Sequence, residues 1–216
     1  MYRAVIFDLD GTLLNTLDDL AASTNAALRQ FGYPERTVEE VRRFVGNGVR
    51  LLMVRALPQG EETPRFEEIL AYFRQHYAAH CREATAPYPG IPALLARLRE
   101  RGVRVAVVSN KFDAAVKELC HAYFGGEVEV AVGESPAVAK KPAPDAVLAA
   151  MRELGVSPAD AVYVGDSEVD VETARRAGLP CISVLWGFRD RAELVAHGAT
   201  HFAPDAAALA ALLLAP

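Results

Sequence analysis

Asp8 and Asp10 stand one residue apart at the end of an apolar run, with Gly11 and Thr12 directly after them. No histidine or cysteine is near them in sequence. Two like charges about 4 Å apart repel by about 4 kcal/mol at an effective dielectric of about 20, so crowded carboxylates either take up protons or bind a cation. More groups of the same chemistry follow other predicted strands. Ser109 and Asn110 come after a strand at 103–108, Lys140 and Lys141 past Val132, and Gly165, Asp166 and Asp170 after a strand at 161–164. Oxygen ligands alone suit a hard ion such as Mg²⁺, which binds through one or two carboxylates plus a substrate phosphate. Hydroxyls, lysines and backbone N–H groups suit the phosphate oxygens. In such a setting one carboxylate attacks phosphorus, while the other protonates the leaving oxygen and then activates water.

The elements that must bring these groups together are legible from periodicity. Tyr2–Phe7 reads as a buried strand. Helices follow over Leu17–Phe31, from a Thr37 cap through Phe44 with Glu40 completing a capping box, over Val49–Leu57 and over Phe66–Cys81. After "APYPG" the rhythm changes to helix Ile91–Arg101, strand Val103–Val108, helix Phe112–Tyr123, strand Val128–Val132 and helix Pro144–Leu154. Strand Ala161–Val164, helix Val169–Ala177, strand Cys181–Leu185, helix Ala192–His197, a short strand near His201 and helix Asp205–Leu214 complete the chain. Alternation of this kind specifies an α/β fold, a doubly wound parallel sheet covered on both faces. The expected core is residues 1–14 and 83–216, with 15–82 an all-helical insert. In an open parallel sheet ligands bind beyond the carboxyl ends of the strands, so the acids, hydroxyls and lysine would meet on one rim.

Composition narrows the rest. With 216 residues and 51% hydrophobic content the chain can bury a real core. A formal net charge of −5 argues against nucleic acid as a partner. No apolar run approaches the roughly 20 residues that span a bilayer, and "MYRAVIFDLD" does not have the pattern of a signal peptide. Cys81, Cys120 and Cys181 are far apart and form no C-x-x-C, as expected of reduced thiols in a cytoplasmic protein.

"DLDGTLLNT", "VVSNKFD", "KKPAPD" and "VGDSEVDVETA" occur in that order along the chain. They resemble the four signature motifs of the haloacid dehalogenase superfamily. "TLDDLAAS", "VGNGVR" and "WGFR" most resemble the superfamily's phosphoglycolate phosphatases. The resemblance implies a Rossmann-like core with an inserted alpha-helical cap domain. It implies Asp8 as nucleophile and Asp10 as general acid/base. Thr12, Ser109 and Lys141 match its phosphate-holding positions, and Asn110 beside Ser109 is read as a phosphate contact in the same context. Asp166 matches a direct Mg²⁺ ligand, joined by Asp8 and the backbone carbonyl of Asp10, and Asp170 an acid one layer behind. Asn15 departs from the pattern where relatives often have aspartate, at the core-to-cap crossing. Dehalogenating members lack an acid at the position of Asp10, so its presence points to phosphoryl transfer.

The implied activity is hydrolysis of a small phosphorylated metabolite, 2-phosphoglycolate, by a monomer or homodimer with no membrane or nucleic-acid partner. A sugar-phosphate phosphatase or phosphomutase is the rival enzyme reading. A phosphoacceptor signalling module would need no cap, and a non-catalytic binding protein would be expected to have lost an acid or the lysine. Gly46, Asn47 and Gly48 either only break two helices or, as the expected specificity loop, turn backbone N–H groups toward an anionic substrate, with Arg43 and Arg50 flanking as helpers or as surface charges. Lys140 and Glu168 read as solvated charges, and His76 with His80 as a packing pair on a helix.

Overall fold

The first strand, β1 (Ala4–Phe7), has no exposed residue and no polar side chain. A strand like this needs partners on both edges and cover on both faces. The computed structural model, which describes residues 2–136 and 138–215, supplies both. Beside β1 lie β4 (Arg104–Phe112) and β6 (Ala161–Gly165), each parallel to it, with Ile6 opposite Ala106 on one side and Tyr163 on the other. The sheet extends outward through β5 (Val130–Glu134) beyond β4, and through β7 (Cys181–Val184) and β8 (His201–Ala203) beyond β6. The order β5-β4-β1-β6-β7-β8, parallel throughout, reverses direction at β1. That reversal opens a crevice beyond the end of β1, the place where open α/β sheets bind ligands.

The chain divides into two units, Met1–Leu14 with Pro87–Pro216, and Asn15–Ala86. Its two crossings between them run through β2 (Leu14–Asn15) and β3 (Ala86–Pro87), which pair as a short ribbon. In the sheet unit, α7 (Asp145–Leu154) and α8 (Glu168–Ala177) cover one face. Val147, Ala150, Met151, Leu154 and Ala174 pack there against Ile6, Ala106, Val108 and Tyr163. Val5 and Phe7, on the opposite face by strand alternation, are as fully buried. The remaining helices of this unit are α5 (Ile91–Glu100), α6 (Asp113–Phe124), α9 (Arg191–Ala196) and α10 (Ala206–Leu213); α5 lies against β4 and α10.

The second unit is helical. α1 (Leu17–Gln30) packs against α4 (Phe66–His80) and α2 (Val38–Phe44), and α3 (Val49–Ala56) against α2 and α4. Thr37 and Glu40 form the expected reciprocal capping box at the start of α2. Residues 83–86, grouped with the sheet in the sequence reading, belong to this unit. The buried Asp19 carboxylate on α1 accepts from the N–H groups of Ala84 and Thr85, each at 2.9 Å, and so ties that stretch to α1.

One strand is longer than its hydrophobic run. β4 does not stop at Val108 but continues through Ser109, Asn110 and Lys111 to Phe112, with an irregularity in its pairing to β5 between Val108 and Phe112. The polar tripeptide reads as loop because it breaks the apolar pattern, yet the strand runs through it and pairs again at Phe112, opposite Glu134. β5 in turn begins two residues later than its apolar run.

Replacing Asp19 with alanine leaves the N–H groups of the buried Thr85 and of Ala84 without their acceptor, at a cost of about 1–3 kcal/mol. The expected result is a lower midpoint in urea unfolding with α1 retained in circular dichroism. An unchanged midpoint would remove Asp19 from the account of how the helical unit closes.

Candidate active site

The crevice beyond β1 is built by backbone that cannot wander. Asp8 N donates to Val164 O at 2.9 Å, so the first acid is still anchored to β6. The chain then turns sharply, with Leu9 O accepting from the N–H groups of Thr12, Leu13 and Leu14. Gly11 sits in this turn at φ +84, a conformation that favours glycine. From the neighbouring strand, Asp166 follows β6, and Ser167 caps α8 in a capping box with Asp170.

Three carboxylates meet there. Asp8, Asp166 and Asp170 each offer an oxygen within 4.8 Å of the others, and all three residues are buried. Lys141 Nζ donates to Asp8 Oδ1 and Asp170 Oδ1, at 2.8 Å each. Tyr163 OH lies 3.2 Å from the same ammonium and donates to Asp170 Oδ1 at 3.1 Å. The other oxygen of Asp170 accepts from Asp166 N, Ser167 N and Ser167 Oγ. Asp166 accepts from Phe188 N at 2.7 Å and more weakly from Thr12 Oγ1 at 3.4 Å. The packing is close enough to exclude side chains nearby. A Cβ at Gly165 would lie 2.3 Å from Asp170 Cγ, and one at Gly187 would lie 2.3 Å from Asp166 Cβ.

Charge in this space is under-compensated. Burial, then the charges of Asp170 and Asp166, hold the Asp8 carboxyl well above its usual range against the pull of Lys141. Burial, then Asp170, pushes Asp166 up to about 7. Burial opposes the Lys141 charge, yet Asp170 and Asp8 keep its ammonium protonated well above the ordinary lysine value. An all-oxygen donor set short of positive charge fits a hard divalent cation. Asp8 and Asp166 could hold it, with Asp170 already taken up by five donors.

The other residues read from sequence have definite places. Ser109 Oγ accepts from Lys111 N at 3.2 Å. Asn110 spends its amide on the Lys141 backbone, accepting from its N–H at 2.8 Å and donating to its carbonyl at 3.0 Å, so its side chain positions the lysine segment. Lys140 pairs with Glu134 at 2.7 Å and takes no part in the cluster. Glu168 is not simply solvated, because it accepts from the buried Arg189 at 3.0 Å. "WGFR" forms a strap across the rim: Trp186 donates to Thr12 O, Phe188 N to Asp166, and Arg189 to Glu168.

Asp10 is not part of the three-acid group. Its two oxygens accept from Lys111 Nζ at 2.8 and 3.0 Å. Neither Lys111 nor Tyr163 was singled out in the sequence. Tyr163 hides in an apolar strand, and Lys111 lies in the polar tripeptide read as loop.

In the helical unit, Gly46, Asn47 and Gly48 all have positive φ and lead into α3, whose start has no side-chain cap. Arg43 pairs with Glu39. Arg50 is held by Glu61 and Glu67 at 2.7 Å each, over the Phe66 ring. His76 and His80 stack, and contact Ser23 and Glu83 respectively.

Comparison with known proteins agrees with this geometry. The family described as haloacid dehalogenase-like hydrolase matches residues 5–184. A phosphoglycolate phosphatase of Aquifex aeolicus is 35% identical over 187 residues, covering 86% of each chain. One from Pseudomonas putida is 38% identical over 192 residues, 86% of this chain and 70% of that one. Among solved structures, a chain from Lactobacillus delbrueckii subsp. bulgaricus superposes with a TM-score of 0.95 at 37% identity, covering 100% of this chain and 99% of that chain. CbbY of Rhodobacter sphaeroides, solved with phosphate, has a TM-score of 0.79 at 30% identity over 96% of each chain.

A pH dependence follows from Asp166. Its carboxyl has an ordinary value of 3.8 and a folded one of about 7. Between those values the folded protein keeps a proton that the unfolded chain has released, so this group's stabilising contribution is lost as pH rises through that window. A bound cation takes the proton's place. Mg²⁺ should therefore raise the melting temperature more at about pH 8 than at about pH 5.5, and Asp166→Asn should abolish that difference. Equal stabilisation by Mg²⁺ at both pH values in the wild-type protein would contradict the assignment.

Proposed function

The chain is an enzyme belonging to the haloacid dehalogenase-like hydrolases, and from that premise we propose that it is a Mg²⁺-dependent phosphomonoesterase acting on 2-phosphoglycolate through an aspartyl-phosphate. The observation that carries the reading is the division of labour between two acids of one turn. Asp8 lies with Lys141 among the clustered carboxylates, while Asp10, two residues on, is held apart from them. That separation supports giving the attack on phosphorus to Asp8 and the proton of the leaving oxygen to Asp10.

In this mechanism Lys141 and the hydroxyls of Thr12 and Ser109 hold the phosphoryl oxygens. A Mg²⁺ ion held by Asp8, Asp166 and the Asp10 carbonyl would offset the negative charge gathered there. An Asp8 oxygen displaces the leaving alkoxide oxygen at phosphorus, and Asp10 supplies that oxygen's proton. Asp10 then takes a proton from water, which attacks phosphorus, frees Asp8 and yields inorganic phosphate.

The sheet unit offers groups that any phosphomonoester would satisfy, so selection falls to the helical unit acting as a cap. Within it the Gly46–Gly48 turn, leading into α3, presents N–H groups suited to a small carboxylate on the leaving group. Relatives named phosphoglycolate phosphatase support this substrate. A related CbbY structure holds xylulose-(1,5)-bisphosphate, which makes sugar phosphates the comparison of choice. The enzyme is expected to work in the cytoplasm as a monomer or homodimer. No helix among the described residues is long and apolar enough to cross a membrane.

A phosphate-release screen over 2-phosphoglycolate, sugar phosphates and 4-nitrophenyl phosphate tests the assignment. Phosphoglycolate should show the highest kcat/KM, and Asp8→Asn should abolish turnover of every substrate. Preference for a sugar phosphate would overturn the substrate, and turnover by a folded Asp8→Asn protein would overturn the nucleophile. Gly48→Val should lower kcat/KM for phosphoglycolate more than for 4-nitrophenyl phosphate. An unchanged ratio would remove the turn from substrate selection.

A further inference from the structure

The reading above leaves one buried cation without a role. Lys111 is 5% exposed, carries its ammonium at the carboxyl end of β4, and donates to both oxygens of Asp10. Burying a lysine costs several kcal/mol unless the charge is matched, so this contact constrains both partners. The exposures are unequal, 3% for the Lys111 side chain against 16% for that of Asp10. The lysine is therefore enclosed, while the carboxylate it grips keeps an accessible edge.

We infer that Lys111 is the positioning residue for Asp10, holding the acid/base carboxylate out of the Asp8–Asp166–Asp170 cluster with an edge open to the leaving group. Without a partner, a fourth carboxylate on the same turn would be drawn toward Lys141 or toward a cation on the cluster. There it would bind charge instead of moving a proton. Lys111 provides a separate positive site on a different strand. The extension of β4 makes this possible, because Ser109–Asn110–Lys111 is held as an irregularity between two paired positions, Val108 opposite Val132 and Phe112 opposite Glu134, and is not free loop. The tripeptide serves both catalytic acids at once. Asn110 fixes the backbone of Lys141, which meets Asp8, and Lys111 meets Asp10.

The inference rests on the proposed acid/base role of Asp10, and a kinetic double-mutant cycle separates the two. Lys111→Met keeps the length of the stem and removes the charge. It should lower kcat for phosphoglycolate by roughly ten- to a hundredfold, less than the roughly 10²–10⁴-fold that a general acid/base itself contributes. The loss should be smaller for 4-nitrophenyl phosphate, whose leaving group needs no proton, and KM should change little. In an Asp10→Asn background the same substitution should cost less than about threefold, because the group it positions is already gone. Lys111→Arg should recover part of the lost kcat. Circular dichroism and melting of each variant show whether it is folded; if Lys111→Met is not, Lys111→Arg carries the same cycle. Equal losses in both backgrounds, or a loss confined to KM, would overturn the positioning role while leaving the phosphatase reading intact. A wild-type chain inert toward every phosphomonoester would overturn that reading and this inference with it.

Discussion

Lys141 Nζ lies 2.8 Å from Asp8 and 2.8 Å from Asp170, with all three side chains almost wholly out of water. The rest of the rim depends on that ammonium. Three buried carboxylates share the space, and a single repulsive pair at about 4 Å costs about 4 kcal/mol even at an effective dielectric of about 20. One lysine cannot neutralise them. The remainder is met in part by hydrogen bonds, four of them onto Asp170 besides the lysine's own, while burial raises the proton affinity of Asp8 and Asp166. A site in this condition fits a divalent cation, whose charge would offset the repulsion between the carboxylates.

Holding such a cluster demands rigid and closely fitted surroundings. β1 and β6 present the acids from adjacent parallel strands, and glycines at 165 and 187 leave the room that Asp170 and Asp166 fill. The strap at Trp186–Arg189 locks the β1 turn to the β6 loop through backbone and side-chain donors. Asn110 steadies the lysine from the other side of the crevice. A second ion pair, Lys111 with Asp10, keeps the remaining acid of the turn separate. Two lysines from different elements thus sort the acids into two groups with different surroundings, which is what two different chemical roles require.

The sequence made much of this visible. Near-continuous apolar runs announced buried parallel strands, and the Thr37–Glu40 spacing announced a capping box that is present in the structure. Acids placed after Phe7 and Val164 marked the rim because strand ends are where such sheets bind ligands. What escaped notice was of two kinds. Ser109–Lys111 interrupts a hydrophobic pattern but continues a strand, since pairing with β5 resumes beyond it at Phe112. Tyr163 and Glu168 look like a core aromatic and a surface acid, and their roles exist only through Lys141, Asp170 and Arg189, none of which lies beside them in sequence. Local pattern reveals which groups are present, and pairing across the fold reveals which are tied down.

The central claim is that Asp8 becomes covalently phosphorylated. Asp10→Asn protein given 4-nitrophenyl phosphate offers the most direct test, because that substrate needs no proton to leave, whereas release of the phosphoryl group still needs a base. Acid quenching during turnover, followed by mass spectrometry, should find one phosphoryl group on the peptide containing Asp8, and none in the Asp8→Asn variant. A phosphoryl group on another residue, or phosphate released with no phosphorylated protein at any quench time, would contradict the account.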